Sequence, residues 1–188
     1  MSRFVVILSV IFIATPVAFA KQPAKQQKLT GVNGSQRVSI TGAVFTRDTS
    51  NPALGEAYRD PSGLIWGSVV TTPQGKIEKM TQYDAEKYCK SIGAWLPTRE
   101  EFEQLAEYLG QGTASAGYDP YLTDGKTEIL PGLANRYFWS ASVYSLSHIL
   151  SWVFLGGNGY VDYYSRNNVM VAVRCVRSRK QLSSRDRH

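Results

Sequence analysis

The residues of this sequence that could act in nucleophilic catalysis are few. The only histidines are His148 and His188, and His188 is the last residue. His148 follows Ser147 and precedes Ser151 by three positions, and a serine with a histidine is the pairing used by serine hydrolases. Closeness in sequence does not create the hydrogen-bonded geometry that catalysis requires, so this is the weaker interpretation. We therefore expect a protein that is not an enzyme and has no catalytic residues.

Acidic side chains are concentrated at Glu100, Glu101 and Glu103, directly after Thr98. Paired carboxylates can serve as general acid and base. A threonine followed three residues later by a glutamate is also the signature of a capping box, and acidic side chains stabilise the positive start of a helix. We expect these carboxylates to begin a helix.

The chain has two cysteines, Cys89 and Cys175, which are 86 residues apart. In an exported protein such a pair predicts a disulfide, and closing a loop of this length would stabilise the fold by roughly 4 to 5 kcal/mol. Two buried thiols or a metal pair are the alternatives. Neither cysteine has a histidine near it in sequence, which argues against metal. We predict no metal site and no cofactor.

The residues best suited to binding are tyrosines with polar neighbours, in a turn-rich segment and near a late hairpin. Aromatic rings can stack on sugar rings, while Asp, Asn and Arg side chains hydrogen-bond hydroxyl or sulfate groups. The predicted ligand-binding residues are Tyr118, Tyr121, Tyr160, Asp162, Tyr163, Arg166 and Asn167.

Packing is the alternative explanation for the aromatic residues. Tyr160 and Tyr164 would share one face of a strand and be buried, with Tyr163 on the opposite face. Tryptophans are more often core residues than sugar platforms. We expect at least three of the four to be buried, the four being Trp66, Trp95, Trp139 and Trp152.

Residues 1–20 have the features of an export signal. Arg3 supplies a positive charge, residues 4–13 are apolar except for Ser9, and Ala18 and Ala20 suit signal peptidase. The apolar run is shorter than the roughly 20 residues that span a bilayer. We expect cleavage after Ala20, a periplasmic or extracellular location, and no transmembrane segment after processing.

The net charge of +6 arises at the two ends of the chain. Residues 21–47 and 174–188 carry about +5 each, whereas residues 48–173 carry about −5. This distribution favours solvated basic ends. The alternative is salt-sensitive binding of the ends to an acidic polymer such as lipopolysaccharide, a sulfated glycan or nucleic acid. We expect no specific nucleic-acid partner.

Apolar periodicity and turn formers predict an α+β fold. Residues 21–54 read as a linker with one possible strand at 37–45, residues 55–177 as the folded domain, and residues 178–188 as a basic disordered tail. A hairpin is predicted at 58–66. Helices begin after Thr81 and Thr98 and end at Gly93 and Gly110.

The chain is predicted to finish as a β-meander with strands at 136–143, 151–155, 160–165 and 169–176. The Asn158-Gly159 pair favours a type I′ turn. The last strand is apolar on both faces except for Arg174, so it should be central and covered on both sides. Arg174 then needs a buried partner or an exit at the end of the sheet.

Five motifs, in order, resemble the DUF1566 family, also called the Lcl C-terminal domain. They are DPSGLIW at 60–66, the helix with Cys89, GAWLPT at 93–98 with Glu101 and Phe102, YFWSAS at 137–142, and VRCVR at 173–177. The resemblance covers residues 56–177. It implies a C-type-lectin-like fold in which two helices pack on a mostly antiparallel, loop-rich sheet and the helix cysteine bonds to the last strand. The family is distantly similar to formylglycine-generating enzymes.

Together these features predict an exported, noncatalytic binding module of the cell envelope that acts like an adhesin. Its expected partner is a glycan, a glycosaminoglycan-like polymer or a cell-envelope protein. The alternative is a structural or assembly domain that mediates protein–protein contact or forms a homotrimer.

Overall fold

The computed structural model describes residues 35–110 and 127–178. These residues form two α-helices and two five-stranded, mostly antiparallel sheets, so the α+β class is confirmed. The predicted export signal, residues 21–34 of the predicted linker, Tyr118, Tyr121 and the tail beyond Ser178 lie outside the described residues. Neither of the two helices is long and apolar enough to cross a membrane.

The helices are α1 (Gln82–Ser91) and α2 (Arg99–Tyr108). The strands are β1 Gln36–Val38, β2 Val44–Asp48, β3 Ala57–Arg59, β4 Ile65–Val69, β5 Lys79–Met80, β6 Tyr137–Val143, β7 Leu150–Leu155, β8 Val161–Ser165, β9 Val171–Ala172 and β10 Arg174–Arg177. The first sheet has the order β1-β2-β3-β4-β10 and is antiparallel throughout. The second sheet has the order β5-β9-β6-β7-β8 and contains one parallel pair, β6 and β9.

The predicted single strand at 37–45 is wrong, because β1 and β2 form a hairpin. The chain reverses at Gly42, whose φ of 83° suits glycine, and the Ser39 amide donates to the Ala43 carbonyl at 2.9 Å. The regular alternation of apolar residues also breaks at Gly42. Residues 36–48 thus add two strands to the first sheet beside β3.

The predicted hairpin at 58–66 is confirmed as β3 and β4, and a buried aspartate organises its turn. Gly63 adopts a φ of 91°, as the turn requires. The carboxylate of Asp60 accepts hydrogen bonds from the Trp66 Nε1 at 2.9 Å, the Leu64 amide at 3.0 Å and the Ser62 hydroxyl at 2.6 Å. These bonds fix the ring of Trp66 in the core.

Both predicted helix starts are confirmed. The Thr81 hydroxyl accepts from the Asp84 amide at 3.3 Å. Thr98 and Glu101 form a full capping box, with bonds of 3.1 Å from the Glu101 amide to the threonine hydroxyl and 2.7 Å from the Thr98 amide to the carboxylate. The caps matter because α1 and α2 present their N-terminal turns to the second sheet, where the candidate site lies.

A helix packs on each face of the second sheet. Successive side chains of a strand point to opposite faces, so neighbouring residues of β7 contact different helices. Phe154 in β7 stacks on Phe102 in α2, with ring centroids 4.6 Å apart, and Phe102 also contacts Trp66. On the other face, Val153 and Trp139 pack in a cluster that includes α1 and the disulfide. We call these the α2 face and the α1 face.

The predicted last strand at 169–176 is wrong as one element, although residues 171–176 are buried as expected. The chain leaves the second sheet after β9, passes through Val173 and enters the first sheet as β10. β9 is central, between β5 and β6, whereas β10 pairs only with β4 and bridges Trp95 through Val176. The apolar run is therefore divided into two short strands, each of which pairs in a different sheet.

Arg174 is fully buried at this crossing and has partners, as its burial demands. Its guanidinium donates to the carbonyl oxygen of Gly67 in β4 and, at 2.6 Å, to that of Pro131. It also lies over the ring of Phe138 in β6, 5.6 Å from the centroid. One side chain therefore contacts both sheets.

The predicted disulfide is present and joins Cys89 in α1 to Cys175 in β10, with Cα atoms 5.5 Å apart. Both cysteines are buried. The bond therefore ties the helix on one face of the second sheet to a strand of the first sheet.

The predicted hairpin between β7 and β8 is confirmed, but the type I′ turn is wrong. A type I′ turn needs positive φ at both central residues, and only Gly159 has it, at 68°. The turn is instead a four-residue loop closed by the Leu155 amide donating to the Tyr160 carbonyl at 2.8 Å. Asn158 uses its side chain to accept from the Tyr160 amide.

We predict that replacing both cysteines by serine lowers the free energy of unfolding by roughly 4 to 5 kcal/mol, because the open chain regains the entropy of an 86-residue loop. Urea denaturation followed by tryptophan fluorescence measures the difference. Reductant should lower the free energy of unfolding of the parent protein by the same amount and leave that of the double-serine variant unchanged. Equal stability of the oxidised and reduced parent would contradict the role assigned to this bond.

Candidate functional site

Strand β8 divides the predicted site residues between two faces of the second sheet. Tyr163 pairs with Trp152 of β7 and lies on the α2 face. Asp162 pairs with Val153, and Tyr164 packs against the cluster around the disulfide, so both belong to the α1 face. The predicted residues are therefore not brought together in a single cluster.

On the α2 face, three aromatic rings form a continuous surface that we call the aromatic platform. It consists of Tyr144, Trp152 and Tyr163. The two tyrosine rings stack, with centroids 4.2 Å apart and planes inclined by 21°. The indole meets them edge to face, at 5.2 Å from Tyr144 and 5.9 Å from Tyr163. Tyr163 is 43% exposed, so the platform is open to solvent.

A guanidinium group lies on the platform. Arg99, the first residue of α2, places its charged carbon 4.2 Å from the centroid of the Trp152 ring. Its Nε donates to Glu103 at 2.6 Å, and its backbone amide donates to the Ser142 hydroxyl at 2.9 Å. The helix start that Thr98 and Glu101 fix is thus also what aims Arg99 at the rings.

The capping box at the start of α2 accounts for the carboxylate of Glu101. Burial raises the pKa of Glu101, and the nearby Asp60 charge adds to the increase, while the bond from the Thr98 amide opposes it. The Glu103 carboxylate forms an ion pair with Arg99. The acidic cluster thus forms the helix start and holds the platform arginine.

Arg166 lies on the α1 side and is held by the first turn of α1. Its Nε donates to the buried Gln82 side chain at 2.9 Å, and its guanidinium lies 4.2 Å over the ring of Tyr83. A further bond of 3.3 Å runs to the His148 carbonyl, and the Glu86 carboxylate is 4.0 Å away. These contacts give Arg166 a structural role, linking β8 and the loop before β7 to the helix.

The other predicted residues have separate positions. Tyr160 is 55% exposed and precedes β8, so it is not packed as the alternative interpretation required. Asp162 accepts a hydrogen bond from the Tyr163 amide at 2.8 Å. Asn167 is exposed in the turn after β8. Tyr118 and Tyr121 fall outside the described residues.

The loop between β6 and β7 forms an open recess of about 330 Å³ next to the platform, lined by residues 143–148. Tyr144 belongs to both the recess and the platform. His148 is exposed in this loop. Among the described residues, no hydrogen bond joins the His148 side chain to Ser147 or Ser151, and no three His, Cys, Asp or Glu side chains converge as metal ligands.

Sequence reasoning missed Tyr144, Trp152 and Arg99. Trp152 could have been found, because the β7–β8 hairpin places it opposite Tyr163. Instead, we expected at least three buried tryptophans, which is wrong: Trp66 and Trp139 are buried, whereas Trp95 and Trp152 are only partly so. Tyr144 and Arg99 reach the site through tertiary packing, which no local pattern shows.

No protein-family model and no curated protein matches this chain. The geometry of the aromatic platform is therefore the main indication of function.

We predict that Arg166→Ala lowers the free energy of unfolding by about 1 to 3 kcal/mol, because the buried Gln82 oxygen loses its donor. Chemical denaturation measures the loss. Arg47→Ala is the matched control: Arg47 is exposed, so its substitution should change stability by less than about 0.5 kcal/mol. If the two variants were equally stable, Arg166 would be available for binding and the structural role would be wrong.

Proposed function

We propose that this protein is an exported, noncatalytic binding module of the cell envelope whose aromatic platform binds a glycan. The observation that carries the proposal is the stack of Tyr144 on Tyr163, with Trp152 at its edge and Tyr163 open to solvent. Pre-stacked rings lose little conformational freedom on binding, which favours affinity. Such a surface suits the apolar face of a sugar ring.

Arg99 gives the platform a preference for acidic sugars. A guanidinium forms directed hydrogen bonds to sulfate, phosphate and carboxylate groups. Glu103 and the Trp152 ring hold Arg99 in place, so its position is set before the ligand arrives. We therefore favour an anionic glycan over a neutral one.

The finer fold and the location belong to the same proposal. A helix cysteine bonded to a cysteine in the last strand is the pattern that the resemblance to the DUF1566 family implies, and Cys89 and Cys175 follow it. We propose a C-type-lectin-like domain of that family. A disulfide and residues 1–20 with the features of a signal both favour export.

Assembly is a second candidate function, and the edge of the second sheet favours it. β8 is the last strand of that sheet, so one side of it has no neighbour among the described strands. The Asp162 side chain accepts from the Tyr163 amide, which partly closes this edge to another strand. Light scattering coupled to gel filtration would detect a trimer, and a trimer that Asp162→Ala strengthens would favour assembly.

We predict that Tyr163→Ala weakens binding to the best ligand of a glycan panel by about tenfold, because a stacking face is lost. Isothermal titration calorimetry across a salt series measures the affinity. Tyr160→Ala is the matched control, since Tyr160 is at least as exposed but does not contribute to the platform. It should bind like the parent.

Two results would contradict the proposal. If both tyrosine variants bound equally well, the platform would not be the site. If removal of residues 179–188 alone abolished binding, the adhesion would be electrostatic and the basic end would carry it.

A further inference from the structure

The loop that carries Tyr144 and the last residue of β6 before it expose three apolar side chains, which we call the apolar tip. Leu146 is 83% exposed, Ile149 is 55% exposed, and Val143 is exposed as well. Isolated apolar residues on a surface are ordinary, but three within seven consecutive residues expose apolar surface that water solvates poorly. The platform begins within the same loop, at Tyr144.

Most backbone carbonyl groups of this loop accept hydrogen bonds from within the protein. The Ser147 amide donates to the Tyr144 carbonyl and the Leu150 amide to the Ser147 carbonyl, both at 3.0 Å. Arg166 donates to the next two carbonyls, those of His148 and Ile149. These bonds satisfy the carbonyls at the base of the loop, and a shallow insertion keeps the backbone of Ser145 and Leu146 at the level of the polar headgroups.

The side chains around the apolar tip are those found where a protein meets the surface of a lipid layer. Tryptophan and tyrosine favour the level of the lipid headgroups, and Trp152, Tyr144 and Tyr163 lie at the base of the loop. Ser145, Ser147 and His148 interrupt the apolar residues, so only a shallow insertion fits. Residues 48–173 carry about −5, so the positive charge that faces an anionic headgroup is that of Arg99 beside the platform.

From this continuity we infer that the ligand of the platform is the sugar headgroup of an anionic glycolipid, bound while the apolar tip enters the outer part of the lipid layer. This inference rests on the proposed glycan-binding function and names its ligand class. The sugar contacts the aromatic platform and Arg99. Leu146 and Ile149 contact the lipid, so the two surfaces act on one ligand.

The test compares one glycan in soluble and lipid-embedded form. The probes are phosphatidylcholine–phosphatidylglycerol vesicles with and without lipopolysaccharide, and deacylated lipopolysaccharide in solution. The tip variant is Leu146→Gln with Ile149→Gln, and both positions are exposed, so folding should be unaffected. Met170→Gln is the matched control, because Met170 is 55% exposed, as Ile149 is, but lies outside the loop.

We expect the parent to bind lipopolysaccharide vesicles in a flotation assay at least about tenfold more tightly than the deacylated form. The tip variant should lose about tenfold in vesicle affinity and less than about twofold for the soluble form. Met170→Gln should match the parent with both probes. Tyr163→Ala should weaken binding to both.

Three outcomes would overturn the inference. They are vesicle binding unchanged in the tip variant, equal binding to vesicles that lack lipopolysaccharide, and a dimer that the tip substitutions convert to a monomer. If soluble glycan binding still depended on Tyr163 in any of these cases, the proposed function would stand and the inference alone would fail. If Tyr163→Ala changed binding to no glycan, the proposed function itself would fail.

Discussion

The crossing of the chain from the second sheet to the first is the constraint on which the rest of the structure depends. Val173 lies between β9 and β10, and Arg174 begins β10. The buried guanidinium of Arg174 contacts Gly67 in one sheet and Phe138 in the other. The disulfide at Cys175 fastens α1 to the same point. With both sheets and α1 anchored there, the second sheet can carry a helix on each face and expose the edge strand β8.

Much of this fold could be predicted because its signals are local. Capping at Thr81 and Thr98, the turn before Gly63 and the cysteine pair all depend on short spacings or on covalent chemistry. The crossing at Val173 could not be predicted, because an apolar run looks the same in one sheet or two. The hairpin at Gly42 was missed for a similar reason, since one glycine can mark either a bend or a reversal.

The candidate site was only partly predictable, because a sequence cluster is not a spatial cluster. Tyr163 and Arg166 are three residues apart but serve different faces, one in a ring surface and the other in the anchor of α1. The residues that complete the platform come from β7, the loop before it and the start of α2. Helix capping at Thr98 therefore places Arg99 over Trp152 as well as stabilising α2, which gives the cap a part in the proposed binding surface.

The most direct test of the central claim, that the platform is the binding surface, is to follow the tryptophan indole N–H signals by NMR during a glycan titration. The indole groups of Trp66 and Trp139 are hydrogen-bonded in the core, to Asp60 and to the Met80 carbonyl, and serve as internal references. The account predicts that the Trp152 signal shifts with the ligand while these two do not. A bound glycan that left the Trp152 signal unchanged and shifted residues on the α1 face would contradict it.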